Sequence, residues 1–188
     1  MQRQELVNSQ PVESEVIIET RELSRVYPGV VALDNVNYRV YRNKVNVLIG
    51  ENGAGKSTMM KMLAGVETPS SGQIILDGVP VTLSSTHQAE KQGISIIFQE
   101  LNLFPNMNVM DNIFMANEFF QKGKINEKYQ YELAKKLLER LELNVDPYTQ
   151  LGELGIGHQQ LVEIARALSK DTRVLICLLY TSPSPRDS

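Results

Sequence analysis

The residues with the clearest chemical pattern form one glycine-rich run. They fit G-x-x-x-x-G-K-[ST] and are Gly50, Glu51, Asn52, Gly53, Ala54, Gly55, Lys56, Ser57 and Thr58. In such a loop the backbone N–H groups converge on phosphate oxygens, and the next helix adds its positive dipole end. Lys56 is predicted to reach the β- and γ-phosphates, and the Ser57 hydroxyl to coordinate Mg²⁺. The pattern therefore indicates a site for a nucleoside triphosphate.

The segments on either side of this loop agree with that interpretation. Residues 45–49 are a short apolar run, typical of a buried strand. Residues 57–64 predict a helix that Gly65 ends. The alternative is a glycine-rich turn that fits the pattern by chance, and the order of strand, loop and helix disfavours it.

The composition narrows the class of protein. A chain of 188 residues with 42% hydrophobic side chains can bury one substantial core. Its net charge of −3 gives no electrostatic case for binding nucleic acid or a membrane surface. The single cysteine excludes an internal disulfide and suits a reducing cytosol, and His87 and His158 do not suggest a metal cluster. Residues 1–14 are polar and predict a flexible lead, not a secretory signal.

The first part of the chain predicts strands joined by tight turns. A strand is expected to start at residues 16–18, and residues 36–40 alternate between apolar and polar side chains, typical of a half-buried strand. Pro28 and Gly29 predict a turn. Residues 73–76 predict another strand, and the Asp-Gly pair that follows them predicts a hairpin.

The second part alternates helical and strand patterns. Ser85 and Gln88 form a capping-box pattern, and Asn108 is a candidate cap for a short helix. Residues 94–98 and 173–176 predict buried strands, and residues 126–143 a helix. A glycine-bearing loop leads into a further helix, whose expected buried face comprises Leu161, Ile164, Ala165 and Leu168.

Several of these pieces together resemble the nucleotide-binding subunit of an ATP-binding-cassette (ABC) transporter, closest to the first cassette of bacterial monosaccharide importers of the ribose and galactose type. The resemblance rests on residues 27–33, 50–58, 99–103 and 154–168 and covers residues 16–176. It implies an α/β fold of the phosphate-loop NTPase type, with an antiparallel β subdomain and a helical subdomain. We expect a partial nucleotide-binding domain over residues 15–176, truncated before the end of its core sheet.

The resemblance also implies roles for two residues outside the phosphate loop. Tyr27 would stack on the adenine ring, although an ordinary turn aromatic is the alternative. Gln99, at the end of its strand, would help to hold Mg²⁺ and position the attacking water, and its loop would contact the transmembrane subunit. A strand-end amide without a ligand is the alternative for Gln99, but ligands of such sheets bind at the carboxyl ends of strands.

The second glycine loop resembles the ABC signature, which contacts the γ-phosphate held by a partner cassette. Gly155 stands where the family has serine, and His158 where glutamine or aspartate is commoner, so we expect weaker closure on the partner's nucleotide. The alternative is an ordinary helix-start turn. The signature-like residues are Leu154, Gly155, Ile156, Gly157, His158 and Gln159.

The chain departs from the family at its end. Leu178 and Leu179 occupy the places of the family's Mg²⁺-supporting Asp and water-polarising Glu, and neither can take over these roles. The family's switch histidine would lie beyond Ser188. Residues 177–188 look like a translated sequencing adaptor fused to a truncated reading frame, although divergence into an inactive cassette is the alternative. In either case we expect a chain that binds ATP and hardly hydrolyses it.

The resemblance implies the ATP-binding subunit of a sugar importer at the cytoplasmic face of the inner membrane. Its partners would be permease subunits, a periplasmic sugar-binding protein and a second cassette, with no nucleic acid. The alternatives are a soluble ABC ATPase of DNA repair or translation, a nucleotide kinase or GTPase, and a nucleotide-gated interaction module. The acidic charge disfavours the first alternative, and the signature-like loop disfavours the second.

Overall fold

The computed structural model describes residues 15–98, 100–121 and 123–178. The chain divides into two compact units, one ending at Ser84 and the other beginning at Ser85. The predicted lead over residues 1–14, Gln99 and most of the predicted tail, including Leu179, lie outside the described residues. In the part of the chain that is described, no helix has the length and apolar character needed to cross a membrane.

The first unit contains a four-stranded antiparallel sheet with the order β2-β1-β3-β4. Its strands are β1 (Val16–Tyr27), β2 (Val30–Tyr41), β3 (Ser71–Leu76) and β4 (Val79–Val81). The predicted turn at Pro28-Gly29 joins β1 to β2, and the Asp77-Gly78 hairpin joins β3 to β4, with left-handed backbone at both glycines. The antiparallel β subdomain is therefore confirmed, although β1 and β2 are longer than expected.

The predicted alternation along β2 is also confirmed. Val36, Tyr38 and Val40 are half-buried, whereas Asn37 and Arg39 are exposed. The core of the unit is formed by buried side chains of β1 and β3, which include Ile18, Leu23, Ile74, Ile75 and Leu76. Burial of each such side chain contributes about 1.5–3 kcal/mol of transfer free energy, which stabilises the sheet.

Helix α1 (Lys56–Leu63) follows the phosphate loop, as predicted. It buries Met59, Met62 and Leu63, and Gly65 adopts the left-handed conformation just after its end. The helix thereby fixes the position of the loop that precedes it.

The prediction of a buried strand over residues 45–49 is wrong. No described strand pairs with this segment, and Val45, Val47 and Ile49 are 93%, 67% and 86% exposed. An apolar run becomes a buried strand only where neighbouring strands satisfy its backbone and other elements cover its faces. Local composition does not supply these partners.

The second unit contains two parallel strands, β5 (Ile94–Ile97) and β8 (Val174–Cys177), in the register Ile94 to Val174 and Ile97 to Cys177. Both were predicted from their apolar composition. A small hairpin of two strands, β6 (Phe120–Gln121) and β7 (Lys124–Ile125), was not predicted because each strand has two residues.

Four helices complete the described part of this unit: α2 (Thr86–Lys91), α3 (Val109–Phe114), α4 (Glu127–Arg140) and α5 (Ile156–Leu168). The predicted caps of α2 and α3 are confirmed, because Gln88 N donates to Ser85 Oγ at 3.2 Å and Asp111 N donates to Asn108 Oδ1 at 2.7 Å. Asn126 caps α4 in the same way.

Helices α3, α4 and α5 share one apolar core. Its fully enclosed side chains include Val109, Phe114, Leu138, Leu151 and Val162. The predicted buried face of α5 is only partly correct, because Ala165 is buried whereas Leu161, Ile164 and Leu168 are half-buried. Neighbouring elements cover the face that carries Val162 and Ala165, and of these two residues apolar spacing identified only Ala165.

Candidate functional site

The phosphate loop depends on glycine where it enters α1. Gly53 and Gly55 have φ angles of 85° and 80°. This left-handed conformation is strained for a residue that has a side chain. Gly55 is also pressed against β2, since a Cβ there would lie 2.4 Å from the carbonyl oxygen of Ala32. A side chain at Gly53 would meet nothing within 4 Å. Backbone geometry requires glycine at Gly55 and favours it at Gly53.

The ammonium of Lys56 braces the same loop. Its Nζ donates to the carbonyl oxygens of Gly50 at 2.6 Å and Glu51 at 2.7 Å. Ala54 N donates to the Glu51 carbonyl at 3.2 Å, which closes a turn inside the loop. A lysine ammonium has three donors, so one remains for an incoming oxygen anion. These bonds hold the ammonium of the predicted phosphate-binding lysine against the loop.

The start of α1 suits an anion. Gly55 caps it without a side-chain hydrogen bond, and no acidic residue occupies the first turn. The first N–H groups of a helix have no intrahelical partners, so they can donate to a phosphate. Ser57 and Thr58 lie in this first turn and are half-buried. Glycine backbone, ammonium and helix start together fit a triphosphate.

Fewer described residues could bind a magnesium ion than could bind the phosphates. Ser57 is the second residue of α1, directly after Lys56, and its hydroxyl could hold an ion together with phosphate oxygens. Within residues 15–98, 100–121 and 123–178, no group of three or more His, Cys, Asp or Glu side chains could hold a metal.

Tyr27, the predicted base-stacking residue, is the last residue of β1 and is half-buried. Its hydroxyl donates to Glu67, and the Arg25 guanidinium carbon lies 4.8 Å from its ring centroid. Sequence reasoning missed both partners. Glu67 is 40 residues away along the chain, and no local pattern connects it to the tyrosine.

The signature-like segment is more helical than predicted. Helix α5 begins at Ile156 with Gly155 as its cap, so Gly157, His158 and Gln159 lie in the first turn. Gln159 Nε2 donates to the Leu154 carbonyl at 2.8 Å, which ties the helix to its approach loop. The helix therefore includes residues that the glycine content had suggested would be loop.

The exposed start of α5 presents its backbone without obstruction. Neither Gly155 nor Gly157 has an atom within 4 Å of a Cβ built there, and Ile156 is 70% exposed. The helix start has no acidic residue in its first turn. Its N–H groups are therefore available to an anion carried by another molecule.

Further along α5, the Arg166 side chain holds the backbone of Asn102, three residues after Gln99. Arg166 Nη1 donates to the Asn102 carbonyl at 2.9 Å, and the Asn102 backbone acts on the Glu163 carboxyl by lowering its pKa. Burial raises the pKa of the Glu163 carboxyl, against the smaller opposing effects of Asn102 and Arg166. Its second oxygen, Oε2, is buried without a hydrogen-bond partner. Sequence reasoning identified neither residue.

Leu178 follows β8, at the place where the resemblance puts a metal-supporting aspartate. Its backbone N–H donates to the Ile97 carbonyl at 3.1 Å, which continues the pairing of the two parallel strands. The side chain is half-buried and has no polar atom. This position cannot ligate a cation.

Comparisons with known proteins agree with this geometry. A sequence model described as ABC transporter matches residues 33–177. The xylose import ATP-binding protein of Thermoanaerobacter pseudethanolicus is 49% identical over 165 residues, which are 87% of this chain and 33% of that protein. The L-arabinose transport ATP-binding protein of Geobacillus stearothermophilus is 47% identical over 87% of this chain and 32% of its own length. The chain spans about a third of the length of these curated relatives.

Solved structures show the same fold. A crystal structure of the ADP conformation of an ATP-binding cassette of an ABC transporter aligns with a TM-score of 0.72 and 26% identity, covering 85% of this chain and 67% of that one. A cassette from Clostridium perfringens, part of an ABC transporter complex, aligns with a TM-score of 0.72 and 28% identity, covering 87% of this chain and 65% of that one. The predicted fold class, a phosphate-loop NTPase of the ABC type, is confirmed.

The resemblance to sugar-import cassettes is also confirmed, since the relatives named above are import or transport ATP-binding proteins for xylose and arabinose. The family match covers most of the sequence and includes the phosphate loop and the signature-like helix start. The chain belongs to the ABC transporter family.

Proposed function

We propose that the chain is the nucleotide-binding part of an ATP-binding subunit that energises sugar import. The observation that carries this proposal is the braced phosphate loop, in which Lys56 Nζ bonds to the carbonyls of Gly50 and Glu51 in front of the uncapped α1. The names of the relatives, which import xylose or transport arabinose, support a sugar as the cargo.

In this function the loop over residues 50–58 holds the triphosphate of ATP. The remaining donor of Lys56 and the first N–H groups of α1 neutralise the β- and γ-phosphates. Ser57 would hold Mg²⁺, with Gln99 as the further ligand predicted from the sequence, and the bound ion would neutralise charge on the phosphates. Tyr27 stacks on the adenine.

The start of α5 has the complementary role. Its unobstructed backbone at Gly155 and Gly157 donates to the γ-phosphate held by a second cassette, fused or separate. Closure of two cassettes then moves permease subunits, which receive the sugar from a periplasmic binding protein. The chain accordingly works at the cytoplasmic face of the inner membrane.

We expect hydrolysis of ATP by this 188-residue chain to be very slow. Leu178 replaces an acidic residue at the end of β8 and cannot support the ion, and Leu179 cannot polarise water. Steady-state phosphate release well above that of a control without protein would contradict this expectation. We also propose that residues 177–188 are the translation product of a sequencing adaptor. Genomic resequencing that finds the codons of Leu178 and Leu179 in the organism's DNA would refute this proposal.

Isothermal titration of the 188-residue chain with Mg-ATP tests the main proposal. Lys56→Ala should weaken binding by about ten- to a hundredfold, because charge-assisted hydrogen bonds to the phosphates are lost. Lys91→Ala, which removes an exposed lysine at the end of α2, is the matched control and should leave affinity unchanged. A folded protein that ignores millimolar ATP, or that binds it equally well without Lys56, would overturn the proposal.

A second candidate function is a nucleotide-gated interaction module that binds ATP without turnover. The aliphatic side chain of Leu178 favours it, since it stands where the resemblance places an acidic residue. Pull-down of a membrane permease by the chain would favour the transport subunit, whereas ATP-dependent capture of other proteins would favour the module.

A further inference from the structure

Tyr27 is the centre of a cluster that we call the Tyr27 cluster, formed by Arg25, Tyr27, Lys61 and Glu67. The Tyr27 hydroxyl donates to Glu67 Oε2, and Arg25 Nε lies 3.6 Å from the same oxygen. Lys61 Nζ lies 3.9 Å from the other oxygen, Oε1. One carboxylate therefore joins the tyrosine to two basic side chains.

Arg25 restrains the tyrosine from a second direction. Its guanidinium carbon lies 4.8 Å from the ring centroid, and its Nη1 donates to the Thr68 carbonyl at 2.7 Å. The ring is thus held at its edge by Glu67 and on one face by Arg25. With these contacts in place, a base can stack only on the other face.

The backbone around the cluster is fixed independently of Glu67. Val26 N donates to Ser70 Oγ at 3.0 Å, and Ser70 N donates to the Ser24 carbonyl at 2.9 Å. These bonds join the end of β1 to the segment after α1. Loss of the Glu67 carboxylate should therefore free the Tyr27 hydroxyl and remove one of the two anchors of Arg25, without separating the strand from this segment.

An ordered ring binds a base more tightly than a free one, since the ordering cost is met before the ligand arrives. We propose that Glu67 is a positioning residue for the nucleotide base, which acts by fixing the Tyr27 ring and the Arg25 guanidinium that covers its far face. This inference rests on the proposed function, in which Tyr27 stacks on adenine. It assigns to Glu67 the part of ATP affinity that depends on the base.

Titrations with Mg-ATP and with magnesium tripolyphosphate, which lacks a base, test this role in the 188-residue chain. Glu67→Ala should weaken ATP binding by about three- to tenfold, the size of a stacking contribution, and leave tripolyphosphate binding unchanged. Glu67→Gln retains an acceptor for the hydroxyl and should recover part of the loss. Tyr27→Phe, which removes only the hydroxyl, should weaken ATP binding in the same direction, and the Tyr27→Phe/Glu67→Ala pair should be less than additive.

The matched control is Glu19→Ala. Glu19 is a carboxylate of β1 that pairs with Arg21 at 3.2 Å and Arg39 at 3.3 Å. This variant should bind both ligands as the parent chain does. Should Glu67→Ala fail to fold, Tyr27→Phe and Glu67→Gln measure the same connection with smaller changes.

The outcomes separate this inference from the proposed function. Equal weakening of ATP and tripolyphosphate by Glu67→Ala, or no weakening of either, overturns the positioning role. If Tyr27→Ala reduces ATP affinity while Glu67→Ala does not, only the inference fails. If Tyr27→Ala leaves ATP affinity unchanged, base stacking itself is wrong and the proposed function must be revised.

Discussion

Two glycine-bearing segments in this chain lead into helices with uncapped first turns, yet they are built differently. Before α1, Gly55 has a φ of 80° and is pressed against β2. Before α5, Gly155 has an ordinary φ of −63°, and a side chain there would meet no atom within 4 Å. One glycine is required by its surroundings, and the other is not.

The two segments are also anchored differently. The first is braced by the Lys56 ammonium on its own carbonyls, and the second by a neutral amide, Gln159, on the Leu154 carbonyl. In the proposed function, a loop that encloses a phosphate gains from a backbone that glycine fixes in advance, whereas a helix start that meets a ligand from outside needs only to be open. We call residues 50–58 the enclosing loop and residues 154–159 the presenting segment. The difference shows that glycine content alone does not distinguish one from the other.

The largest expected effect comes from adding one methyl group to the enclosing loop. Gly55→Ala combines a left-handed backbone with a Cβ 2.4 Å from the Ala32 carbonyl, so unfolding free energy should fall by about 2–4 kcal/mol. Gly53→Ala has a similar φ of 85° in open space and should cost about 1 kcal/mol. Urea denaturation of both variants measures the difference, and equal losses would contradict the close packing.

The anchor of the presenting segment should matter less. Gln159→Ala removes the 2.8 Å bond to the Leu154 carbonyl, and about 1 kcal/mol of stability should be lost. Its neighbour Gln160 is exposed, so Gln160→Ala is a control that should change stability by less than about 0.5 kcal/mol. Indistinguishable urea midpoints for the two variants would show that the amide anchors nothing.

The buried faces of the two helices differ as well, which predicts a pH effect. Helix α1 buries only apolar side chains, whereas α5 buries Glu163 near Arg166, the Asn102 backbone and Cys177. Burial raises the pKa of this carboxyl above its ordinary value of 4.5, so the folded state holds the proton more tightly than the unfolded state. The contribution to stability is full below pH 4.5 and declines as pH rises through the folded pKa.

Glu163→Gln keeps the shape and removes the ionisation. Relative to this variant, the parent chain should lose stability as pH rises from about 4 to 8, a smaller change than loss of the Gln159 anchor. Thermal melts of both proteins across this pH range measure the difference. A difference that stays constant with pH would show that Glu163 does not titrate above its ordinary range.

The smallest expected effect on stability is a substitution in the presenting segment. Gly155→Ser places a better cap in a position with room for it, so stability should rise by a few tenths of a kcal/mol. The hydroxyl also adds one donor toward a partner's γ-phosphate, so ATP-dependent dimerisation should strengthen. Light scattering with and without ATP measures this, and no gain in dimer would refute weaker closure at Gly155.

Features that a few adjacent residues encode were predicted correctly. The turn at Pro28-Gly29, the caps at Ser85 and Asn108, and the loop-to-helix step at Gly55 each depend on local backbone preferences. They appear in the structure close to the expected positions, because the interactions that fix them lie within a few residues.

Features that depend on distant partners were missed or wrong. The exposure of residues 45–49 reflects which strands pair, and the register of α5 reflects which neighbours cover it. The bond from Tyr27 to Glu67 spans 40 residues, and that from Arg166 to Asn102 spans 64. Sequence patterns proposed candidate ligand-binding residues from their chemistry and missed the distant residues that contact them.

The solvent-facing side of residues 45–49 has a consequence for handling this protein. Val45, Val47 and Ile49 alternate along the segment, and the backbone beside them pairs with no described strand. Another copy of the chain can add a strand to such a stretch, so the protein should aggregate in concentrated solution. Val47→Lys would place a charge in this exposed apolar segment and should reduce aggregation.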